Sequence, residues 1–295
     1  MSMLAHGGSM RSTAGYRVDI GSGNMPGRML PVRHISFASQ RYARAAWLLA
    51  RSARRRGIGS TRIYRPDDAV VVGLTARYPE IMHAKRGAGY WLWKPFIIRD
   101  ALANARDGEI VFYTDAAMVF IADPRPLLAL AETHPVVLFE HGPGLQMSSW
   151  TKRDCFVALD ADSPEFWNIT QLVGGFQLYR AGQQSRAFVE EVCAAMTVPD
   201  VLTDQANLRG LRNFPDFREH RHDQSILSII ARKNKVPLFP DPSQHGPLSP
   251  RPALIVPGDG MERPAAPYGQ IFDLHRKKGS AFIRWYFRRL FSNRT

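Results

Sequence analysis

Asp115 is the first residue whose type and position suggest chemistry. It follows a run of apolar, β-branched and aromatic residues at positions 110–113, which is typical of a strand buried on both faces. Because open α/β sheets bind ligands at the carboxyl ends of their strands, we interpret Asp115 as a ligand-binding residue. The alternative is a carboxylate that only caps a turn.

Two further stretches combine a polar or glycine signal with a regular element. Asp223 lies just before an apolar-periodic helix pattern, so its carboxylate is expected either to cap that helix or to reach into a cleft at its N-terminus. Gly174 and Gly175 precede an alternating strand pattern, where glycines let a backbone approach a ligand closely. The basic, glycine-broken segment at 85–89 is either an ordinary loop or one that contacts a diphosphate.

The elements that position these residues begin with a strand at 34–38, a helix at 40–56 and a strand at 62–64. Such a strand-helix-strand opening begins a nucleotide-binding half-fold in many α/β proteins. The apolar face of the helix is predicted from four positions: Ala43, Ala46, Trp47 and Ala50. The arginines elsewhere on this helix form a solvated face or contact phosphate or lipid.

Strand and helix patterns alternate through the rest of the chain up to the helix that follows Asp223. We therefore predict an α/β fold with a mixed, mostly parallel sheet flanked by helices in a single domain at 31–279. Residues 1–30 are rich in Gly, Ser and Met without periodicity, and we expect disorder there. Residues 280–295 mix aromatic residues with arginines, which fits a basic amphipathic tail on a membrane surface or a helix docked on the domain.

The charge of the chain is unevenly distributed. The formal net charge is +13, yet residues 1–65 carry twelve Lys/Arg against one acid and residues 274–295 carry seven against none, which leaves −5 between them. Nucleic-acid-binding proteins usually place their basic surface on the reading element, so we expect no nucleic-acid partner. Basic flanking segments instead favour attraction to an anionic surface.

Cysteine usage and hydropathy bear on the compartment. The two cysteines, Cys155 and Cys193, lie far apart and are interpreted as reduced core thiols, which fits a cytoplasmic protein. No run of about 18 apolar residues is present to span a membrane. We expect a cytoplasmic protein, with peripheral attachment to the inner face of the membrane through the basic tail.

The order of several motifs resembles the GT-A-type nucleotide-sugar glycosyltransferases, in particular family 8 (glycogenin- and galactosyltransferase-like) and the capsular-polysaccharide transferases. The resemblance spans roughly residues 33–278. Its motifs are Trp93-Lys94-Pro95, Tyr113-x-Asp115-Ala116, Gly174-Gly175-Phe176, Asp223-Gln224 and His275-Arg276-Lys277. The family motif is Asp-x-Asp, whereas this chain has Ala117 in place of the second acid.

The resemblance implies a nucleotide-diphosphate sugar as donor and a glycan or glycolipid as acceptor. It places Asp115 and His275 on Mn²⁺ or Mg²⁺, and it assigns catalytic roles to Lys94, Asp223 and Gln224. The donor site would also include Trp93, Ala117, Gly174, Gly175 and His222.

The leaving nucleoside diphosphate develops negative charge that a divalent metal, Lys/Arg or helix N-termini must stabilise. Because Ala117 replaces the second acid, two arrangements are possible. Either Asp115, His275, the diphosphate and water coordinate a metal ion, or Lys94 and the basic segment at 85–89 take its place. We favour the metal ion. An inverting reaction needs a base, for which Asp223 is the candidate, whereas the Asp-Gln pair looks more like the retaining families. The alternative function is a catalytically inactive relative that binds a glycan or a partner enzyme.

Overall fold

The structure is a computed structural model that describes residues 30–142, 144–246 and 268–275. Its strands are β1 (Val32–Phe37), β2 (Thr61–Tyr64), β3 (Ile110–Thr114), β4 (Met118–Phe120), β5 (Val136–Glu140), β6 (Phe176–Arg180), β7 (Leu238–Pro240) and β8 (Phe272–Leu274). Its helices are α1 (Ala43–Arg55), α2 (Ala69–Arg77), α3 (Pro79–Met82), α4 (Gly87–Tyr90), α5 (Trp93–Ala103), α6 (Arg125–Thr133), α7 (Met147–Trp150), α8 (Arg153–Ala158), α9 (Pro164–Trp167), α10 (Gln183–Met196), α11 (Pro199–Leu202) and α12 (Asp223–Lys233).

A six-stranded sheet in the order β2-β1-β3-β6-β5-β7 forms the centre of the fold. β1 is parallel to β2 and β3, and β5 is parallel to β7, whereas β6 runs antiparallel to both of its neighbours. β4 and β8 pair antiparallel as a separate ribbon. The predicted mixed, mostly parallel α/β sheet flanked by helices is confirmed. The short strands β7 and β8 were not predicted, since three residues carry no readable alternation.

Strand β3 explains why a continuous apolar run is needed at the centre of the sheet. Val111 and Tyr113 lie in the core cluster formed with α5, α10 and α12, while Ile110 and Phe112 lie in the cluster on the other face with α1, α6 and β8. All five residues of β3 are buried. Because both faces are covered by helices or the ribbon, every side chain of the strand must be apolar or hydrogen-bonded.

Helix α1 departs from the predicted face. Trp47 is 60% exposed and Ala43 is exposed as well, whereas the buried side is formed by Ala46, Leu48, Leu49, Ser52 and Ala53. Ser52, the polar residue on this side, has hydrogen-bond partners for its hydroxyl group. The hydroxyl donates to the Leu49 carbonyl (2.8 Å) and accepts from the Phe120 amide (3.1 Å). A pattern of small residues does not distinguish an inner face from an outer one, and the tryptophan misled the prediction.

His34 is a buried polar residue of β1 whose hydrogen bonds are complete. Its Nδ1 lies 2.8 Å from the Thr61 hydroxyl and its Nε2 lies 2.9 Å from the Thr114 hydroxyl. The rings of Phe112 and Phe120 meet it edge-on. Burial lowers the pKa of His34 to about 3, so the imidazole is neutral in the folded protein.

Three sequence predictions concern residues at the ends of the chain or the compartment. The disorder predicted for residues 1–30 and the tail at 280–295 lie outside the described residues, apart from Leu30. Both cysteines are buried and neither forms a disulfide, as expected. In the described part of the chain, no helix has the length and apolar character needed to cross a membrane.

We predict that His34 makes the fold sensitive to acid. A histidine whose folded pKa is depressed contributes stability above its ordinary pKa of about 6.5, and loses it as the pH falls towards the folded value; between pH 7.5 and 5 the loss is about 2 kcal/mol. His34→Leu should lower stability at pH 7.5 yet flatten this part of the profile, measured by urea unfolding at both pH values. Leu48→Ala, a buried non-titrating control, should keep the parental slope; an unchanged slope in His34→Leu would contradict the prediction.

Candidate active site

Lys94, Asp115 and Asp223 meet at the carboxyl edge of the sheet. The Lys94 ammonium lies 2.5 Å from Asp223 Oδ2, 3.1 Å from the Gly174 carbonyl oxygen and 3.5 Å from Asp115 Oδ1. Lys94 is nearly fully buried at 5% side-chain exposure, while Asp115 is 34% exposed. One cation therefore joins three segments that are distant in sequence, and one of its two carboxylates faces solvent.

Each member of this cluster is held by a regular element. Asp115 directly follows β3, and its amide donates to the Gly175 carbonyl (2.7 Å). The Tyr113 hydroxyl donates to Asp115 Oδ1 at 2.5 Å. Asp223 is the first residue of α12, and His222 precedes it at the cap position, where no side-chain cap bond forms. The Asp223 carboxylate accepts from the Lys94 ammonium, so it turns towards the buried cluster.

Gly174 and Gly175 are glycines because the site's own side chains lie against them. A Cβ on Gly174 would lie 3.2 Å from Asp223 Oδ2 and 3.7 Å from Lys94 Nζ. A Cβ on Gly175 would lie 3.0 Å from the Met118 methyl and 3.4 Å from Asp115 Oδ2. The close approach predicted from the two glycines is thus made to Asp223, Lys94 and Asp115.

The electrostatics of the cluster are set by burial and by the two carboxylates. Burial acts to lower the pKa of Lys94, but Asp115 and Asp223 outweigh it and the pKa lies above its ordinary value. Burial raises the pKa of Asp223 above its ordinary value although the Lys94 ammonium opposes the shift. The contact of 2.5 Å between the two groups favours the ionised pair. Counted at their formal charges, the two carboxylates and the ammonium give the cluster a charge of −1.

A strained turn precedes Lys94. Five successive residues have positive φ: Gly87 (58°), Ala88 (51°), Gly89 (95°), Tyr90 (49°) and Trp91 (59°). Non-glycine residues adopt this conformation at a cost of about 1–2 kcal/mol each, so the surroundings must hold it. His222, itself at φ 48°, does so by stacking on Trp91 with ring centroids 5.6 Å apart and by contacting the Leu202 carbonyl through Nδ1 (2.8 Å).

A second polar network adjoins the cluster at Gln224. The Gln224 amide donates to Gln171 Oε1 (2.8 Å), and His141 hydrogen-bonds the Gln224 side chain. His141 Nδ1 lies 3.8 Å from Oδ2 of the fully buried Asp241. Burial lowers the pKa of His141 to about 4 and raises that of Asp241 to about 6. Sequence reasoning missed Gln171 and Asp241, because only the pairing of β5 with β7 brings Asp241 beside His141.

The two residues predicted to bind a metal ion, Asp115 and His275, supply only part of a metal site. His275 follows β8, and its amide donates to the Ala117 carbonyl (2.9 Å), so the chain segments that carry His275 and Asp115 lie side by side. Within the described ranges, no group of three or more His, Cys, Asp or Glu side chains could hold a metal ion. Asp115 and His275 could supply one carboxylate and one imidazole, a donor pair that Mn²⁺ accepts. The remaining ligands would have to be diphosphate oxygens and water.

The other predicted site residues occupy different surroundings. Trp93 is buried in the core, where its ring stacks on Phe37 with centroids 4.0 Å apart. In the segment at 85–89, Arg86 pairs with Glu219 (3.2 Å) and Asp204 (3.5 Å).

A cavity of about 440 Å³ lies away from the cluster, between α2, α5 and α10. We place the site at the cluster, because that cavity has no comparable group of buried charges.

Comparison with known proteins adds a likeness at the level of whole structures. No family model and no curated protein matches the chain. An active-site mutant of LgtC has a TM-score of 0.44 at 11% identity, with 90% of this chain and 97% of that one covered. Mouse xyloside xylosyltransferase 1 has a TM-score of 0.38 at 13% identity over 70% and 84%. The bifunctional glycosyltransferase WbbM has a TM-score of 0.38 at 15% identity over 71% of this chain.

The chain spans 39% of the length of WbbM. LgtC is named as a galactosyltransferase in a further structure, with donor and acceptor sugar analogues. All of these are glycosyltransferases. Scores below 0.5 at such identities carry no argument about the reaction of this chain or about single residues of the site.

We predict that the Lys94–Asp223 pair is a coupled element of stability. Removing one partner of a buried pair leaves an uncompensated charge and costs about 3–5 kcal/mol, whereas replacing both is nearly neutral. Lys94→Met should therefore destabilise the fold by that amount, and Lys94→Met/Asp223→Leu should recover most of it, as measured by urea unfolding. Additive losses in the double variant would show that the two side chains are not coupled.

Gly174→Ala should disturb the site without unfolding the protein. The added methyl group would lie 3.2 Å from Asp223 Oδ2, so the pair must shift by a few tenths of an ångström. We expect a loss of stability of about 1 kcal/mol, typical of single substitutions, and weaker binding of any ligand at the cluster. Gly182→Ala is the matched control, because its added Cβ meets nothing within 4 Å; equal effects of the two substitutions on ligand binding would refute the prediction.

Proposed function

We propose that the protein is a glycosyltransferase that takes its sugar from a nucleoside-diphosphate donor. The observation that carries the proposal is the buried Lys94 ammonium held between Asp115 and Asp223 at the carboxyl edge of a mostly parallel sheet, where α/β proteins bind their ligands. The family resemblance of the motifs supports the same reaction class. A site of this kind can bind a polar sugar through carboxylates and a fixed ammonium.

The charge of the cluster bears on the donor. Two carboxylates and one ammonium give a formal charge of −1, so an anionic diphosphate needs further positive charge to bind there. Asp115 and His275 are the residues that would hold a divalent cation, together with diphosphate oxygens and water. Such an ion would neutralise the leaving diphosphate. The Lys94 ammonium already binds Asp223 and the Gly174 carbonyl. It is therefore better placed to orient groups near the sugar than to neutralise the diphosphate in place of a metal ion.

The ion pair also bears on stereochemistry. Asp223 accepts from Lys94 at 2.5 Å, and a carboxylate engaged in this way is a poor general base for an acceptor hydroxyl. This supports a retaining reaction. The acceptor that the motif resemblance implies is a glycan or glycolipid. The test is the anomeric configuration of the first product, read by NMR: an inverted linkage would overturn the retaining assignment and would direct attention to the neutral His141 as base.

The second candidate is a protein that binds the nucleotide without transferring sugar. It rests on Ala117, which stands where the family motif has a second acid, and nothing in the geometry of the site favours it. Attachment of the tail at 280–295 to the inner face of the membrane remains a separate proposal. Sugar-transfer assays of the full chain test the first proposal, and vesicle-binding assays of the full chain test the second.

A thermal-shift panel tests the donor class. UDP, GDP, ADP and CMP are each added with and without Mn²⁺; a ligand at 100 times its Kd stabilises by about 2.7 kcal/mol, which is several degrees for a protein of this size. We expect one nucleotide to raise the Tm, more strongly with Mn²⁺, and Asp115→Asn to remove the Mn²⁺-dependent part. Asp123→Asn, an exposed carboxylate paired with Arg125, is the control.

Three outcomes are informative. A nucleotide shift that is indifferent to Mn²⁺ would overturn the metal assignment and leave the donor assignment in place. A shift without release of nucleoside diphosphate from any sugar donor would favour the inactive relative. The absence of a shift with every nucleotide would contradict the proposed function.

A further inference from the structure

Helix α1 and the turn before it carry an exposed stripe of arginines and aromatic residues. Tyr42 is 46% exposed and Trp47 is 60% exposed, and the accompanying arginines are exposed too. We call this surface the α1 stripe; it consists of Arg41, Tyr42, Arg44, Trp47, Arg51, Arg54 and Arg55. At 100° per residue, its members within the helix from Arg44 to Arg55 fall in a sector of about 100°. Nothing in the catalytic proposal uses these residues.

The arginines of the stripe are not neutralised by acids. No Asp or Glu occurs between Asp19 and Asp67 in the sequence. Within residues 30–142, 144–246 and 268–275, none of the five arginines forms an ion pair with an acid, whereas Arg56 at the end of the helix turns inward to the Ile121 carbonyl. The positive charge of the stripe is therefore available to a partner of opposite charge.

The aromatic residues are arranged with the arginines, not with the core. Arg51 lies over the Trp47 ring at 5.4 Å, and Arg41 lies over the Tyr42 ring at 5.8 Å. An exposed tryptophan beside arginines is the composition of helices that lie in a membrane interface, where the indole enters the headgroup region and the guanidinium groups bind anionic lipids.

We propose that the α1 stripe is a docking surface for an anionic lipid bilayer. Charge complementarity identifies the partner. The chain's own segments outside the described residues do not complement the stripe: residues 1–29 carry three Lys/Arg against one acid, 247–267 carry two of each, and 276–295 carry seven against none. Neutral or basic segments are repelled by, or indifferent to, five arginines, whereas a bilayer rich in anionic headgroups attracts them.

Docking through this surface has a consequence for the site. Ala46, on the buried side of α1, packs against Ala38 and Ala116, and Ala116 directly follows Asp115. The stripe lies on the opposite side of the helix. When the stripe lies on a bilayer, about one helix diameter, roughly 10 Å, therefore separates the bilayer from the sheet edge that carries Asp115. If the proposed function holds, an acceptor embedded in the membrane lies within reach; the lipid docking itself does not depend on that function.

Vesicle co-sedimentation of the full chain tests the proposal. We expect binding to phosphatidylcholine vesicles with 30% phosphatidylglycerol, little binding to pure phosphatidylcholine, and loss of binding as salt increases. An arginine at an anionic surface contributes about fivefold in affinity, so Arg44→Gln/Arg51→Gln/Arg55→Gln should weaken binding by on the order of 100-fold. Three exposed arginines elsewhere supply a control of equal charge change: Arg106→Gln/Arg125→Gln/Arg212→Gln should retain near-parental binding.

Trp47 provides a second readout that a general charge effect does not move. Brominated lipids should quench part of the parental tryptophan fluorescence, and Trp47→Phe should reduce that part. The proposal is overturned if the full chain does not bind anionic vesicles, if both arginine triples weaken binding equally, or if Trp47→Phe leaves the quenched fraction unchanged. Tighter binding of single-stranded RNA than of vesicles, lost in the same triple, would likewise replace the lipid with a nucleic acid. A nucleotide thermal shift preserved in the stripe variants would show that docking and the donor site are separate.

Discussion

The candidate site depends on one buried cation. The Lys94 ammonium, in the first turn of α5, contacts Asp223 at the start of α12, the Gly174 carbonyl before β6 and Asp115 after β3. A buried ammonium is tolerated only when opposite charge and acceptors surround it. As long as Lys94 is present, the four segments must converge to compensate its charge, and the same convergence assembles a polar site at the edge of an otherwise apolar sheet.

The rest of the architecture serves this convergence. β3 lies at the centre of the sheet, buried on both faces, so Asp115 emerges from a rigid strand. Gly174 and Gly175 let the strand that follows them approach the cluster without a Cβ in the way. The left-handed turn at 87–91 stores conformational strain just before Lys94, and such strain is concentrated at functional sites because surrounding contacts hold it in place.

Much of the sheet was predictable because its central strands are continuous apolar runs. The polar end of one run indicated Asp115, and the start of a periodic helix pattern indicated Asp223. The choice between a cap and a cleft for Asp223 was not predictable, since it depends on where Lys94 lies in space. Trp47 was assigned to the wrong side of α1, because hydrophobicity alone does not separate a core residue from an exposed one. Asp241 was missed because its neighbour His141 follows a strand far away in sequence.

The central claim is that the cluster of Lys94, Asp115 and Asp223 is where the donor binds. The most direct measurement is a crystal structure of the protein with the stabilising nucleoside diphosphate and Mn²⁺. We expect the diphosphate beside Asp115 and His275, with the position of the transferred sugar directed towards Lys94 and Asp223. A nucleotide bound in the cavity between α2, α5 and α10, or anywhere else that leaves the cluster untouched, would contradict it.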